Sequence, residues 1–338
     1  MSENSLRVGF IVGNDFDRTI QFDQEGVVPL LGNNDADKVL KLLPEGEFKS
    51  GRLHLGPSYF RKARRWKIGD VSVLWNMVSD ADLHPRTLAV VEKFAAELRL
   101  PIIDPGRAIL QTRRHQVALR LAGIDNVHMP KTLLLHNPTL DRVRRQVEAA
   151  DFRFPAIVRR TGTHNGQMLG LAPSLEEIED VYGDRTNDYY LTEFVDFRRA
   201  DGGYRKTRFF FVGEDIVVRQ HVVSENWNIH GRSGREMGDD SPQRLEAKAM
   251  VEGGFAGLPD ITRAALREIG ARMGLDYFGL DASLDADGRI LVFEANATMN
   301  FLPSAGHMRG RSAAALEPMQ NAVRKLILAK GAQCATKT

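Results

Sequence analysis

Gly279-Leu-Asp-Ala-Ser-Leu-Asp-Ala-Asp-Gly-Arg-Ile-Leu-Val-Phe-Glu-Ala-Asn296 is the stretch whose reading decides the fold. It reads as a β-hairpin. One arm carries Asp281, Asp287-Gly288 makes the turn, and the return arm Ile290-Leu-Val-Phe293 delivers Glu294 and Asn296. Side chains two apart on a strand share a face, so Glu294 and Asn296 lie side by side and pairing can bring Asp281 opposite them. Two carboxylates and one amide oxygen on rigid strands suit a Mg²⁺ ion that also holds substrate phosphates. A surface hairpin with ordinary polar ends is the competing reading, and the Asp-Gly turn alone favours it. A four-residue apolar run that ends in Glu-Ala-Asn weighs the other way, because a buried strand seldom ends in acceptors without a partner.

Composition bounds the rest. The chain has 338 residues, 43% hydrophobic and 27% charged, which is enough for two or more packed lobes of a soluble globular protein. Its 46 basic and 44 acidic residues leave a net charge of +2, which argues against a bulk polyanion binder. The basic runs Arg61-Lys-Ala-Arg-Arg65 and Arg142-Val-Arg-Arg145 read as solvated helix faces in preference to nucleic-acid contacts. The one cysteine, Cys334, excludes an intrachain disulfide and a cysteine-rich zinc site. No apolar run approaches a membrane span, and the N-terminal residues lack the apolar core of a secretory signal. A cytoplasmic enzyme with no nucleic-acid or membrane partner is the expectation.

Working outward, Leu6–Gly13 and Val71–Asn76 read as strands, Pro85–Leu98 as an amphipathic helix and Leu100–Asp104 as a third strand. Strand, helix and strand in that order predict a small open α/β domain, with the residues from Asn76 to Asp82 at the carboxyl end of a strand. Thr112–Ala122 and Asp141–Ala150 read as helices. Pro130–Leu135, Phe154–Arg159 and Tyr189–Val195 read as strands, and 208–212 with 215–219 as a hairpin.

Several polar positions stand out from these elements. Arg159 runs into Arg-Thr-Gly162-Thr163-His-Asn-Gly166, where backbone N–H groups of a flexible loop can wrap phosphate and Arg159 adds fixed charge. Taken alone, a hairpin turn is the simpler reading of that loop. Glu193, inside an apolar strand, is either a solvated edge charge or an acid beside a nucleoside. Lys206 and Arg208 share one face of a strand, and two cations on an inward face require anions. An outward basic face explains them equally well. Arg219, His221, Asn228 and His230 continue that hairpin and its loop.

Together these pieces resemble the ATP-grasp superfamily, from about residue 70 to 305 and in the order that family uses. Phe154-Pro-Ala-Ile-Val-Arg159 followed by Gly162 and Gly166 is similar to the family's Phe-Pro-x-Ile-Val-Lys and its mobile glycine-rich loop, which implies that Arg159, Gly162, Thr163 and Gly166 contact the triphosphate. Glu193-Phe194-Val195 resembles the linker that receives adenine. Arg208-Phe-Phe-Phe-Val-Gly213 resembles the strand that supplies a catalytic arginine, with Arg219 as its helper, and Asn228-Ile-His230 a phosphate loop of ligases that add glutamate to ribosomal protein. Thr112-Arg113 looks like the position that reaches phosphate from the central domain, and Asp281, Glu294 and Asn296 match the magnesium triad. Leu74-Trp-Asn-Met-Val-Ser-Asp-Ala-Asp82 resembles the pre-grasp domain of ATP-grasp proteins joined to tetratricopeptide repeats.

The resemblance implies an α+β ATP-grasp fold with a pre-grasp α/β domain over 1–110, a central subdomain over 111–187 and a C-terminal subdomain over 188–330. It implies ATP and Mg²⁺ as cofactors. The reaction would join a carboxylate and an amine, small molecules or a peptide, through an acyl phosphate, in a chain that related ligases would assemble as a homo-oligomer. A small-molecule kinase on the same fold and a nucleotide-binding regulatory protein without turnover are the alternatives. Three departures bear on the substrate: arginine replaces lysine at Arg159, Lys206 replaces an acid, and Asn296-Ala-Thr-Met-Asn300 replaces Asn-Pro.

Overall fold

The computed structural model describes residues 5–15, 47–61, 68–163, 168–182, 185–229, 241–301 and 316–335. At the N-terminus Leu6–Gly13 (β1) pairs in parallel with Phe48–Leu55 (β2) and Val73–Asn76 (β3), and Ile102–Ile103 (β4) completes the order β2-β1-β3-β4. Parallel strands covered on both faces read as continuous apolar runs, as β1 and β3 do; β2, at the edge, is mostly exposed. Between β3 and β4 lies Pro85–Leu98 (α1). Proline opens it, Leu88, Val91, Phe94 and Ala95 form its buried face, and Arg99 closes it in the left-handed conformation. The short helix Gly106–Ile109 (α2) and Arg114–Leu121 (α3) lead out of this unit.

The central sheet is antiparallel, in the order β6-β9-β7-β8. Its strands are Thr132–Leu135 (β6), Ala156–Arg160 (β7), Gly170–Ala172 (β8) and Tyr189–Glu193 (β9), joined through the helices Leu140–Ala149 (α4) and Ile178–Tyr182 (α5). It has its own core of Leu135, Val143, Val147, Ala156, Val158 and Leu191. Because β9 hydrogen-bonds to β6 and β7, this sheet continues to Glu193, past the 187/188 division expected from the sequence. Long-range pairing with β6 and β7, which local sequence does not show, places this strand in the central sheet.

Val127–His128 (β5) crosses over to edge the C-terminal sheet, ordered β11-β10-β12-β13-β5. The remaining strands are Tyr204–Val212 (β10), Asp215–Ser224 (β11), Tyr277–Leu284 (β12) and Ile290–Asn296 (β13). Helices Pro242–Gly253 (α6) and Asp260–Met273 (α7) lie between its two hairpins, and Glu317–Ala335 (α8) ends the described chain. Every residue of β12 is buried because both faces are covered. Phe209, Phe211 and Phe278 pack with Leu266 and Ile269 of α7 on one side. Phe210, Val212 and Tyr277 pack on the other side with Met319, Val323 and Ile327 of α8, together with Phe10 and Trp75 of the N-terminal sheet. Helix α8 therefore joins the first lobe to the last. None of α6, α7 and α8 was anticipated from the sequence. Among the described residues no helix is long and apolar enough to cross a membrane.

Candidate active site

The hairpin read from the sequence is β12–β13, and its pairing contains a bulge. Leu284 faces Ile290 and Ala282 faces Val292, but the register then shifts so that Asp281 faces Glu294 and Gly279 faces Asn296. Phe293 is the extra residue. Without it Asp281 would face Phe293, so the bulge aligns the two carboxylates. Gly279 has a second function here. A Cβ at that position would lie 2.5 Å from the Met299 sulfur, so the glycine lets the chain after Asn296 fold back over the strand.

On the other side of β12, Asp281 faces Arg208 of β10. Arg208 Nε and Nη2 donate to the two Asp281 oxygens at 2.7 and 2.9 Å, and Lys206 Nζ lies 3.1 Å from Oδ2. Burial pushes the Asp281 carboxyl up, but Arg208 and Lys206 outweigh it and hold the group at about 2. Lys206 also donates to the Ile229 carbonyl at 2.7 Å, which seats the loop carrying Asn228 beside this cluster. The inward reading of Lys206 and Arg208 is the one the fold adopts.

Glu294 is held from the first helix of the central segment. Arg114 Nη2 of α3 lies 2.5 Å from Glu294 Oε1, and the Asn296 amide donates to the same oxygen at 2.5 Å. Asn296 Oδ1 accepts from the Thr298 backbone N–H at 3.0 Å and its hydroxyl at 2.7 Å. Arg159 of β7 lies close enough to feel both partners. Burial and the Arg114 charge lower its pKa to about 10, and Glu294 opposes them. Arg114, Arg159, Lys206 and Arg208 thus face Asp281 and Glu294, a surplus of two positive charges.

A cleft of about 50 Å³ opens beside Glu294 and Asn296, lined by Asp80 and Asp82 from the first lobe, Arg113 and Arg114 from α3, and Thr163. It has room for a few waters, well short of the ~300–1,000 Å³ of a typical small-molecule site. A cross-lobe clasp lies beside it. Asp82 accepts a 2.7 Å hydrogen bond from the Tyr190 hydroxyl of β9 and another from the Gly162 backbone N–H, and Arg113 Nε lies 3.5 Å away. Arg113 also donates to the Ala81 carbonyl at 3.3 and 3.2 Å. Gly162 has a positive φ of 68°, and a Cβ there would stand 2.4 Å from Leu83 Cδ2. Burial and the Asp82 carboxylate push the Tyr190 phenol up, while burial raises Asp82 itself against the Tyr190 hydrogen bond. His115 stacks on Tyr190 at 6.0 Å.

The other sequence candidates are placed as follows. Glu193 Oε1 accepts from the Arg153 backbone N–H at 2.8 Å, while the Glu193 and Phe194 N–H groups bond the Lys131 and Pro155 carbonyls. The Phe194 ring packs edge-on to Trp227 at 4.9 Å, and Val195 follows it partly buried. Arg219 is the extra residue at a register shift of β10–β11; its Nε donates to the Phe301 carbonyl at 2.7 Å and its guanidinium lies over the Phe301 ring. Thr163 bonds the Arg160 carbonyl at 2.7 Å. Gly166 and His230 lie outside the described residues. Sequence reasoning missed Arg114, Tyr190 and His115. The Arg113-Arg114 doublet was a signal for the first; Tyr190 was indistinguishable from a core aromatic.

Among the described residues no group of three or more His, Cys, Asp or Glu is arranged to hold a metal ion by itself. The donor set is two carboxylates in register and an amide on the same face, which fits a hard, partly hydrated divalent ion such as Mg²⁺ better than zinc.

No family model and no curated protein matches the chain. Solved structures do match in fold. Carboxyaminoimidazole ribonucleotide synthase from Aspergillus clavatus, complexed with ATP, is 13% identical with a TM-score of 0.54 over 95% of this chain and 77% of its own. D-Alanine–D-alanine ligase from Bacillus anthracis, complexed with ATP, is 12% identical with a TM-score of 0.51 over 99% of both chains. The macrocyclase MdnC from Microcystis aeruginosa, bound with precursor peptide MdnA, is 14% identical with a TM-score of 0.52 over 96% of this chain and all of its own. The chain has the ATP-grasp fold.

Proposed function

We propose that the protein is an ATP-dependent ligase that joins a carboxylate to an amine through an acyl phosphate. The observation that carries this reading is the row Arg208–Asp281–Glu294 across three neighbouring strands, flanked by Lys206, Arg114 and Arg159. Its two surplus positive charges complement the net charge of a magnesium–triphosphate complex. Asp281, Glu294 and Asn296 would hold Mg²⁺, which when bound neutralises phosphate oxygens.

The chain's own groups supply the rest. Arg159, Arg114 and Arg113 position the triphosphate, with the Gly162–Thr163 turn closing over it. Glu193, Phe194 and Val195 receive the nucleoside, and Asn228 lies near the phosphates. A substrate carboxylate oxygen bonds to the γ-phosphorus while the bridging P–O bond breaks and ADP leaves. Arg208, held rigid by its two bonds to Asp281, steadies charge on the acyl phosphate, with Arg219 behind it. The amine then bonds to the acyl carbon, loses a proton, and phosphate leaves. Charge positioning accounts for the catalysis, and no protein nucleophile is needed.

ADP release with Mg-ATP, screened against pools of amino acids, small carboxylates and short peptides, tests this. Release that needs both an acid and an amine, and that disappears in Asp281→Asn and Glu294→Gln, is the expected result. Release without any amine would instead mark a kinase, and absence of ATP binding would overturn the reading.

A further inference from the structure

A cavity of about 230 Å³, larger than the cleft, lies on the opposite face of the C-terminal sheet. Along β10, Arg205 and Thr207 alternate with Lys206 and Arg208, so the two pairs point to opposite faces. Lys206 and Arg208 meet Asp281; Arg205 meets Glu246 of α6, and Thr207 meets His221 of β11.

One end of the cavity is polar. Thr207 Oγ1 lies 2.8 Å from His221 Nδ1, and His221 Nε2 lies 3.2 Å from Glu246 Oε1. Arg205 donates to Glu246 at 3.1 and 3.0 Å and to Asp201 at 2.7 and 2.5 Å. The Arg205 guanidinium nitrogens and both His221 ring nitrogens are therefore engaged. Two capacities are left over. Among the described residues the Arg199 guanidinium, in the same wall, has no ion pair or hydrogen bond. Glu246, whose side chain is 39% exposed, takes only one donor on Oε2 although a carboxylate oxygen accepts two. Met250, Leu258, Pro259 and Leu284 supply an apolar wall, beside which Asp285 also lines the cavity with its Oδ1 taken by the Asp287 and Arg289 backbone N–H groups. The β12–β13 turn that closes it is fastened by a 2.6 Å hydrogen bond from Thr262 to the Gly288 carbonyl.

We propose that this cavity is a second small-molecule site, which takes a free α-amino acid with an apolar side chain. Its carboxylate pairs with Arg199, its ammonium with Glu246 Oε2, and its side chain fills the apolar end. The volume lies below the ~300–1,000 Å³ range of drug-sized sites, as suits a ligand of amino-acid size. A simple amine would leave Arg199 without an anion, and a simple acid would leave the spare acceptor capacity of Glu246 Oε2 unused. A phosphorylated ligand brings more negative charge than Arg199 can meet beside Glu246 and Asp201.

Calorimetric titration of the full chain with L-leucine, without nucleotide, tests the site. One-site saturable binding is expected, weakened at least tenfold by Arg199→Gln. L-Leucinamide, which lacks the carboxylate, should lose a similar factor on the unaltered protein and nothing further on the variant. Saturating ATP should leave one leucine bound, because the two sites occupy opposite faces. Absence of heat with leucine, methionine and phenylalanine would overturn the proposal, as would equal affinity in Arg199→Gln or stoichiometric displacement by ATP. Arg199 lies outside the cleft, so this result and the ligase result can fail separately.

Discussion

The Tyr190 hydroxyl donates a 2.7 Å hydrogen bond to the Asp82 carboxylate, and that bond ties the central sheet to the N-terminal lobe beside the cleft that Asp82 lines. The cleft beside this clasp measures about 50 Å³, so on the proposed function the clasp is expected to open when a nucleotide binds. Tyr190→Phe removes the donor and leaves the ring in place. The variant should lose about 0.5–1.5 kcal/mol of stability, the net worth of one hydrogen bond, because Asp82 keeps the Gly162 N–H and Arg113 beside it. It should also bind ATP with a faster association rate in stopped-flow experiments. An unchanged association rate would show that the clasp does not limit access.

Gly162→Ala tests the same closure from the other side. The substitution adds a Cβ where φ is 68° and Leu83 stands 2.4 Å away, so the turn must lift from the first lobe. The expected loss is about 1–3 kcal/mol for a non-glycine residue held at such a φ, with faster amide exchange at residues 160–163. Leu83→Ala in the same chain should recover part of that loss, because it removes the collision but not the backbone strain.

Asp104 makes stability depend on pH. Its carboxylate is buried at the seam between the first and last lobes, where Oδ1 accepts the Asp276 and Tyr277 backbone N–H groups at 2.8 and 3.2 Å. Burial, then the Asp276 charge, raises its pKa from 3.8 to about 8. The folded state holds the proton more tightly, so this contribution is complete below pH 4 and is lost as pH rises through 8. Urea titrations from pH 4 to 9 should show that decline, and Asp104→Asn should flatten it. A slope that survives in the variant would place the titration elsewhere.

Asp281 has the opposite sign. Its pKa is depressed from 3.8 to about 2, so its contribution is present above pH 4 and lost as pH falls through 2. Asp281→Asn leaves Arg208 and Lys206 facing each other without their anion. With both cations partly exposed, the cost should be about 2–3 kcal/mol, at or below the usual range for a broken buried pair. Guanidinium denaturation at pH 7 measures it, and ATP turnover should vanish in the same variant.

Much of the arrangement was legible in the sequence because short-range periodicity carries it. Alternation in Ile290–Asn296 put Glu294 and Asn296 on one face, and proline followed by Leu88, Val91 and Phe94 marked α1 to its final residue. Apolar runs marked most strands of the first two sheets. What these patterns determine is which residues share a face within one element, since that depends only on backbone geometry.

Tertiary structure decided everything that depends on register or on partners distant in sequence. The bulge at Phe293 that sets Glu294 opposite Asp281 belongs to the pairing of two strands, and neither strand announces it alone. Pairing, not composition, assigned Tyr189–Glu193 to the central sheet. The ion pair of Arg114 with Glu294, 180 residues apart, and the clasp of Tyr190 on Asp82, 108 apart, exist only once three lobes meet. A side chain's chemistry is written in the sequence, but its partner is chosen by packing, because charge and hydrogen bonding act over a few ångströms of space whatever the distance along the chain.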